Sequence, residues 1–329
     1  MSNLFNPIPA TGTDTPGTVP PSVPEHQLIR LIGGGSSGQV WLARNALGSF
    51  RAIKIVQQQV SRSDRRVDRE FQGVLKFEPL SRLHDGLVDI LQVGGGEGAS
   101  SFYYVMELAD DIASGQTIAP DHYRPRTLAH DLADHRRLPI GECVRLGAAL
   151  ASALGYLHRQ GLVHRDIKPS NIVFVNGFPK LADIGLVTSR SPEPRFHLGT
   201  EGFIPPEGAG SPQADIYSLG KVLYEMSTGK DRNEYPELPE DLGTDPEDRD
   251  LVEFLKIVLK ACRTRPVMRF RSAEELMTAL LSFQFDASHR RRERAYDIWA
   301  KVAGLSGLLI GLGVVAFLIH RLVLLLKGQ

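Results

Sequence analysis

The sequence lacks most of the features that mark disulfide-stapled, metal-binding or nucleic-acid-binding proteins. It has only two cysteines, Cys143 and Cys262, which form no C-x-x-C motif, so we expect buried apolar side chains or free thiols in a reducing compartment. The formal net charge is zero, whereas nucleic-acid-binding proteins usually carry a basic excess. The ten histidines show no metal-ligand spacing, and no segment is repeated. What remains is a globular protein of ordinary composition.

The N-terminal residues 1–24 contain neither a basic residue nor a long apolar run, which excludes a signal peptide. They hold six of the 21 prolines, set among Thr, Ser, Gly and Asn. Such a segment cannot bury enough apolar surface to offset the entropy lost on ordering. We therefore predict a disordered tail.

Near the C-terminus, residues 302–319 form an apolar run of eighteen residues without a charge, VAGLSGLLIGLGVVAFLI. At about 1.5 Å per residue such a helix spans roughly 27 Å, close to the hydrocarbon thickness of a bilayer. Because the run is apolar on every face, we predict a transmembrane helix rather than a buried core helix. The basic segment 286–301 predicts that the preceding domain is cytoplasmic. Residues 320–329 would form a short tail beyond the span, which is a tail-anchored, single-pass layout.

Gly307 and Gly311 form a G-x-x-x-G pattern within this apolar run. The pattern permits close helix approach and hence a homodimer. Ordinary packing is the alternative, because glycine is common in membrane helices.

A glycine-rich turn is the first motif of the region between these two ends. Gly33, Gly35 and Gly38 form G-x-G-x-x-G, and Val40 follows two residues on. The pattern also occurs in dinucleotide-binding proteins, but there a helix follows the glycines. Here Val40–Ala43 is predicted to be a strand. A strand–turn–strand of this kind lets backbone N–H groups close over the phosphates of a nucleotide.

Lys54 lies in the next predicted strand between apolar residues, which is an unusual position for an unpaired charge. The position indicates a lysine that holds the α- and β-phosphates and pairs with a glutamate on a helix. The helical segment that follows offers Glu70 as that partner. Glu78 is the alternative, although it precedes Pro79 and so lies near an expected helix break.

Residues 164–171, HRDIKPSN, have the H-R-D-x-x-x-x-N pattern of a protein-kinase catalytic loop. An Asn-Gly pair between two apolar runs follows and predicts a β-hairpin over residues 172–182. The hairpin would return Asp183 to the side of Asn171. Two oxygen ligands in that arrangement suit Mg²⁺.

Taken in order, these motifs resemble those of the eukaryotic-type (Hanks-type) serine/threonine protein kinases over about residues 26–283. The resemblance implies an α+β, bilobal protein-kinase fold. Its small, β-rich N-lobe with one long helix would comprise residues 25–108, and its larger, mainly helical C-lobe residues 109–285. It also implies ATP and Mg²⁺ as cofactors and proteins as substrates, with no nucleic-acid partner.

The resemblance implies chemical roles for individual residues. Asp166 would accept or orient the proton of the substrate hydroxyl, and Lys168 would offer positive charge to the transferred phosphoryl group. A lysine followed by proline at this place resembles the serine/threonine class. Asn171 and Asp183 would hold Mg²⁺, and backbone groups from Glu107 to Ala109 would bind the adenine edge.

Arg165 precedes Asp166, which resembles the class of kinases whose activation segment is ordered by phosphorylation. Thr200 also matches a threonine that contacts the catalytic aspartate and lysine, so a structural role is its alternative. The candidate phosphorylation sites are Thr188, Ser189, Ser191 and Thr200.

Downstream residues have implied structural roles. Glu207, in Pro205-Pro206-Glu207, would form a buried ion pair with Arg269, and Asp215 would hydrogen-bond the backbone of the catalytic loop. Ile184 stands where the family usually has phenylalanine, and Pro205 where it has alanine. The segment 231–250 is short for the substrate-docking helix, which leaves the mode of substrate binding open.

Two functions compete at this point. One is an active, membrane-anchored kinase, and the other is a pseudokinase that binds nucleotide and partners as a scaffold. Lys54, Asp166, Asn171 and Asp183 are all present, which favours the enzyme. A small-molecule phosphotransferase shares much of the site, but the Pro-Pro-Glu segment and the Gly-Thr-x-Gly-Phe loop favour a protein substrate.

Overall fold

The computed structural model describes residues 22–35, 38–57, 65–95, 101–135, 137–183, 188–189, 199–240, 242–243, 246–290 and 292. The chain divides into two units, residues 1–281 and 282–329, and all contacts below lie within the first. Most of the predicted N-terminal tail, the apolar run 302–319 with Gly307 and Gly311, the tail 320–329, and Ile184 lie outside the described residues.

The N-terminal part of the first unit is a five-stranded antiparallel sheet in the order β1-β2-β3-β5-β4, with one long helix packed on it. Lys54 on β3 lies opposite Val40 on β2 and Tyr104 on β5. The elements are β1 (His26–Gly35), β2 (Gly38–Asn45), β3 (Phe50–Gln57), α1 (Arg65–Ser81), β4 (Ile90–Gly94) and β5 (Ser101–Met106).

Both faces of this sheet are covered. On the face away from Lys54, Ile53 and Ile55 form an apolar cluster with Val105 and with Val23, which lies near the end of the predicted disordered tail. On the other face α1 contributes buried side chains, and Phe71 packs edge-on against Phe102 with ring centroids 5.2 Å apart. Covering both faces explains why β3 is buried almost throughout.

Two boundaries differ from the sequence prediction. The sequence predicts a strand over residues 87–93, but β4 begins only at Ile90. The backbone before it pairs instead with the neighbouring hairpin, because Val88 N–H donates to Leu181 O at 3.1 Å. The expected break before Pro79 is also wrong, since α1 continues through it to Ser81. A proline so near a helix end removes one hydrogen bond without ending the helix.

The C-terminal part is mainly helical. Its helices are α2 (Leu128–Asp134), α3 (Ile140–Arg159), α4 (Pro212–Thr228), α5 (Pro246–Ala261) and α6 (residues 273–290). Its strand pairs are β6 (Leu162–Val163) with β9 (Thr188–Ser189) and β7 (Ile172–Val175) with β8 (Phe178–Leu181). Among the described residues, α3 is the one helix long and apolar enough to cross a membrane, and 56% of its apolar window is buried within the fold. It is the central core helix of this lobe.

The β7–β8 hairpin has the tight turn that Asn-Gly predicts. Asn176 and Gly177 both have positive φ, 52° and 76°, as a two-residue hairpin turn requires. The Asp110 carboxylate accepts both of their backbone N–H groups, at 2.9 and 2.7 Å. The turn is therefore fixed from outside as well as by its own sequence.

Residues 110–127, between β5 and α2, form an ordered insertion. The Asp111 carboxylate accepts hydrogen bonds from the backbone of Ala113, Ser114 and Arg124 at 2.7 to 2.9 Å. The buried Tyr123 donates its hydroxyl to Ala109 O at 3.0 Å. The insertion is thus held to the connection between the two lobes.

No α-helix forms in the described residues between α4 and α5. The chain makes one short 3-10 turn there, Arg232–Glu234, whose first backbone N–H groups are capped by the Asp231 side chain. In return the Glu234 carboxylate accepts the Asp231 N–H at 2.7 Å. The short segment noted in the sequence is therefore a fixed turn.

Candidate active site

The catalytic loop is held from below by one carboxylate. Asp215, in the first turn of α4, accepts the backbone N–H groups of His164 and Arg165, both at 2.8 Å. His158 Nε2 on α3 lies 2.9 Å from the same carboxylate. Arg165 has a positive φ of 73°, a conformation that costs energy for a non-glycine residue. Asp215 therefore holds the loop backbone at Arg165, the residue with the unfavourable φ.

Three side chains meet at the centre of the loop. Lys168 Nζ lies 2.9 Å from Asp166 Oδ2 and 2.8 Å from the Thr200 hydroxyl. Thr200 in turn donates to Asp166 Oδ1 at 2.8 Å. The Thr200 hydroxyl is therefore bonded to both charged residues. This is the geometry expected if Thr200 has a structural role instead of being a phosphorylation site.

Asn171 lies next to this cluster. Its amide Nδ2 donates to both the carbonyl and the carboxylate of Asp166, each at 2.9 Å. The backbone carbonyl of Asn171 accepts the N–H of Ala182 at 2.8 Å, so the hairpin returns the chain beside it and Asp183 follows. Among the described residues, the buried Asn171 Oδ1 has no hydrogen-bond partner.

Lys54 joins the two lobes. Its Nζ lies 2.9 Å from Glu70 Oε1 on α1 and 3.0 Å from Asp183 Oδ1, with all three side chains buried. Burial acts to lower the pKa of Lys54, but the Asp183 and Glu70 carboxylates outweigh it and hold the pKa well above its ordinary value. Glu78, the alternative partner, pairs instead with Arg82 on the surface.

The glycine turn joins β1 to β2, and Gly35 pairs with Gly38 across it. A side chain at Gly38 would place its Cβ 2.4 Å from the carbonyl oxygen of Ile55, and its φ is +135°, so only glycine fits. Because a strand and no helix follows the turn, the dinucleotide alternative is excluded. Gly33 pairs with Val40, which is fully buried opposite Lys54.

The connection between the lobes offers fewer free backbone groups than expected. The N–H of Glu107 donates to Asp89 O at 3.1 Å, and its side chain is bonded to Lys180 Nζ at 2.5 Å. Burial raises the pKa of Glu107 despite that lysine. The carbonyl of Ala109 already accepts the Tyr123 hydroxyl.

Sequence reasoning missed Tyr123 and its neighbour Arg30. Arg30, on β1, donates its guanidinium to the carbonyl of Tyr123, so the insertion contacts both lobes. The available signal was that Tyr123 is the one Phe, Tyr or Trp in the stretch 110–127.

The structure also brings together the expected lower-lobe pair. Arg269 donates to both Glu207 oxygens, at 2.5 and 2.9 Å. The Arg269 side chain is fully buried, whereas that of Glu207 is 30% exposed. The pair is therefore buried on one side only.

The structure describes three of the four candidate phosphorylation sites, Thr188, Ser189 and Thr200. Thr188 and Ser189 form β9, which pairs with β6 just before the catalytic loop. Ser191 lies outside the described residues. Arg165 is buried.

A groove runs from the catalytic cluster along the larger lobe. Its cavity volume is about 270 Å³. Its walls come from the catalytic loop, the 200–203 segment, α2, the end of α4 and the turn after α4, and its lining residues are Ala129, Leu132, Lys168, Pro169, Ser170, Thr200, Phe203, Glu225 and Arg232. The sequence did not point to Glu225 or Arg232, because nothing in their spacing brings them near the catalytic loop.

This arrangement of glycine turn, buried lysine and HRD loop is typical of protein kinases. The protein kinase domain family matches residues 26–295, and the chain belongs to that family. The expected bilobal kinase fold is confirmed by this match and by the sheet-rich and helical lobes described above.

Several serine/threonine-protein kinases are similar in sequence to this chain. The chain is 29% identical over 294 residues to the serine/threonine-protein kinase PrkC of Bacillus subtilis, covering 82% of this chain and 42% of the relative. It is 30% identical over 276 residues to PknA of Mycobacterium tuberculosis, covering 75% and 58%. The DNA damage-responsive kinase RqkA of Deinococcus radiodurans is 31% identical over 227 residues, covering 65% and 31%. The chain thus spans about half the length of the first two relatives.

Proposed function

We propose that this chain is an ATP- and Mg²⁺-dependent serine/threonine protein kinase. It transfers the γ-phosphate of ATP to hydroxyl groups on itself and on cytoplasmic proteins. The observation that carries the proposal is the meeting of Asp166, Lys168 and Asn171 beside the Lys54–Asp183 ion pair. The groups that would act on the acceptor hydroxyl therefore lie beside the groups that would hold the phosphate donor.

The transfer step follows from these positions. The substrate hydroxyl oxygen bonds to the γ-phosphorus as the bond from that phosphorus to the β–γ bridging oxygen breaks, and ADP leaves. The hydroxyl proton passes to the Asp166 carboxylate, which Asn171 and Thr200 orient at 2.9 and 2.8 Å. Lys168, 2.9 Å from Asp166, supplies positive charge where the phosphoryl group moves.

Two residues of the site have side chains that suit Mg²⁺. The Asn171 amide oxygen is buried and unpartnered among the described residues, and the Asp183 carboxylate follows the hairpin that returns to it. These two oxygen donors suit Mg²⁺, which usually takes one or two protein ligands together with phosphates and water. Bound Mg²⁺ neutralises the charge of the transferring phosphate.

Lys54 and the glycine turn hold the nucleotide. The raised pKa of Lys54 keeps its ammonium group charged at neutral pH, as a phosphate ligand requires. Gly33, Gly35 and Gly38 supply a backbone that approaches phosphates without side chains in the way. The carbonyl of Glu107 and the backbone of Ala109 remain the proposed adenine contacts.

We also propose that residues 302–319 cross the membrane once and keep the catalytic domain, residues 25–285, at the cytoplasmic face. The support is the charge-free apolar run and the basic segment before it. Gly307 and Gly311 would allow two such helices to associate as a homodimer.

The catalytic assignment is tested with Asp166→Ala. We expect phosphate incorporation from labelled ATP into the protein and into a Ser/Thr peptide to fall about 100-fold or more, the usual contribution of a catalytic base. Asp286→Ala is the matched control, because Asp286 is exposed and lies outside the first unit. Equal incorporation by wild type and Asp166→Ala would remove Asp166 from the mechanism. No incorporation by wild type would favour the scaffold alternative.

A further inference from the structure

We propose that Arg232 makes this kinase select substrates with an anionic side chain close to the phosphorylated Ser or Thr. The anion is a carboxylate or a phosphate already on the substrate. The inference rests on the proposed kinase function and names its substrate class.

The first step is the position of the groove. Lys168 and Thr200 line one end of it, and both contact Asp166 directly. A substrate whose hydroxyl reaches Asp166 must therefore place neighbouring residues in the groove. Its volume of about 270 Å³ is enough for side chains of a bound peptide, so its lining decides which of them fit.

The second step is the fixed position of Arg232. Its Nε donates to Glu201 O at 3.1 Å, and its guanidinium lies over the Phe203 ring at 4.9 Å. A Cβ at Gly202 would lie 2.8 Å from Arg232 Nε. The segment that lines the groove therefore needs a glycine for the arginine to approach.

The backbone of Arg232 is held as firmly as its side chain. The buried Lys221 donates to the backbone carbonyl of Arg232 at 2.7 Å, and the backbone N–H of Arg232 donates to Glu225 Oε1 at 3.0 Å. The capped turn Arg232–Glu234 fixes the residues around it. A side chain placed by so many independent contacts loses little entropy when it binds an anion.

The third step is the charge that the groove presents. Glu225 and Asp231 lie 3.4 and 3.2 Å from Arg232 Nη1, longer than the roughly 2.7–2.9 Å of a strong charge-assisted hydrogen bond. Glu225 is largely buried and already accepts the N–H of Arg232. Burial also raises the pKa of Glu225, against the effect of Arg232.

The groove is consequently a poor site for a basic side chain. Its carboxylate, Glu225, is only 12% exposed and accepts the backbone N–H of Arg232, so it presents little surface to a substrate arginine or lysine. An anionic side chain instead meets a guanidinium that is 30% exposed and has planar donors suited to carboxylate and phosphate. Ser170 adds a hydroxyl to the lining of the groove.

The test measures kcat and KM on the full chain with peptides that share one acceptor serine. The peptides carry Glu, phosphoserine, Ala or Lys at successive positions around it. We expect kcat/KM for the best Glu or phosphoserine peptide to exceed that of its Ala counterpart about tenfold, mostly through KM. The Glu and phosphoserine arms separate the two sources of negative charge.

Two charge reversals complete the test. Arg232→Glu should remove the preference for anionic peptides and favour the Lys peptides instead. Arg271→Glu makes the same charge change at a side chain that is 94% exposed and outside the groove, and should keep the wild-type order. Arg232→Gln, which preserves much of the side-chain bulk, should abolish the preference without reversing it.

The outcomes separate this inference from the proposed function. Equal kcat/KM for Glu, Ala and Lys peptides with wild type would overturn the inference while the kinase function stands. An anionic preference that survives both Arg232 variants would also overturn it, since another group would then recognise the anion. Wild type that phosphorylates neither peptide nor itself would overturn the proposed function.

Discussion

Lys54 forms two buried ion pairs, and the one with Asp183 connects the two lobes. It lies on a strand of the smaller lobe, while Glu70 comes from α1 and Asp183 from the hairpin of the larger lobe. Removing one partner of a buried ion pair leaves an uncompensated charge, which typically costs about 3–5 kcal/mol. The position of α1 is therefore tied directly to the chemistry of the site.

Replacing Glu70 should be much more harmful than replacing Glu78. We expect Glu70→Gln to lower kcat/KM for ATP by at least about tenfold, the effect of roughly 1.4 kcal/mol, because Lys54 loses a buried partner. Glu78→Gln should change it little, because exposed ion pairs contribute about 0–1 kcal/mol. Steady-state kinetics with varied ATP measures both. Equal losses in the two variants would mean that the Lys54–Glu70 contact has no part in nucleotide binding.

The sequence could indicate the residues of this site that belong to short motifs. Lys54 stood out because a charge between apolar residues needs a partner, and Asp183 because a hairpin had to return it to Asn171. Tyr123 and Arg232 could not be found in that way. Each acts through contacts with residues distant in the sequence, Tyr123 with Arg30 and Arg232 with Glu201, and those contacts follow from tertiary packing alone.

At the scale of elements, α4 contacts both the catalytic loop and α5 in the larger lobe. Its first turn holds the catalytic loop through Asp215, and its middle packs against α5 so closely that Gly220 faces Cys262 and Ala261. A Cβ at Gly220 would lie 2.6 Å from Cys262 Sγ and 2.8 Å from Ala261 Cβ. The two helices therefore need a glycine at this contact.

Gly220→Ala should destabilise the protein. Overpacking typically costs about 1–3 kcal/mol, which exceeds the gain of about 1 kcal/mol from replacing glycine in a helix. Gly141→Ala in α3 is the control, because nothing lies within 4 Å of its Cβ and helix propensity alone should raise stability. Thermal unfolding of both variants measures the difference. Gly220→Ala melting with or above Gly141→Ala would show that α4 and α5 can separate without cost.

Element types were easier to predict than their ends. The Asn-Gly hairpin and the strand after the glycine turn follow from local backbone preferences, and the structure has both. The start of β4 does not follow from such preferences, because Val88 pairs with Leu181 instead of continuing the strand. The length of α1 past Pro79 depends likewise on packing against the sheet.

At the scale of the whole molecule, the order of the motifs predicted the bilobal fold, and membership of the protein kinase family confirms it. The order of motifs is informative because the motifs lie on different elements, and the fold must bring those elements together at one cleft. The membrane anchor has a different basis. It rests on apolar length and flanking charge, which are properties of the sequence alone.

Truncation after residue 295 tests the anchor. We expect the full chain to sediment with membranes and to require detergent for release, whereas the truncated chain remains in the supernatant, because it lacks the run 302–319. Kinase activity measured on both fractions shows that the truncated chain is folded. A truncated chain that still sediments with membranes would place the anchor elsewhere.

The helix α4 has a further consequence for how substrates are recognised. Asp215 near its start fixes the loop that carries Asp166, and Glu225, ten residues on, fixes Arg232. At about 1.5 Å per residue these two points lie about 15 Å apart along the helix. Because a buried helix does not stretch, α4 would fix the distance between the loop that carries Asp166 and the anion that Arg232 would bind. A substrate is then selected by the spacing of its charge as well as by its sign.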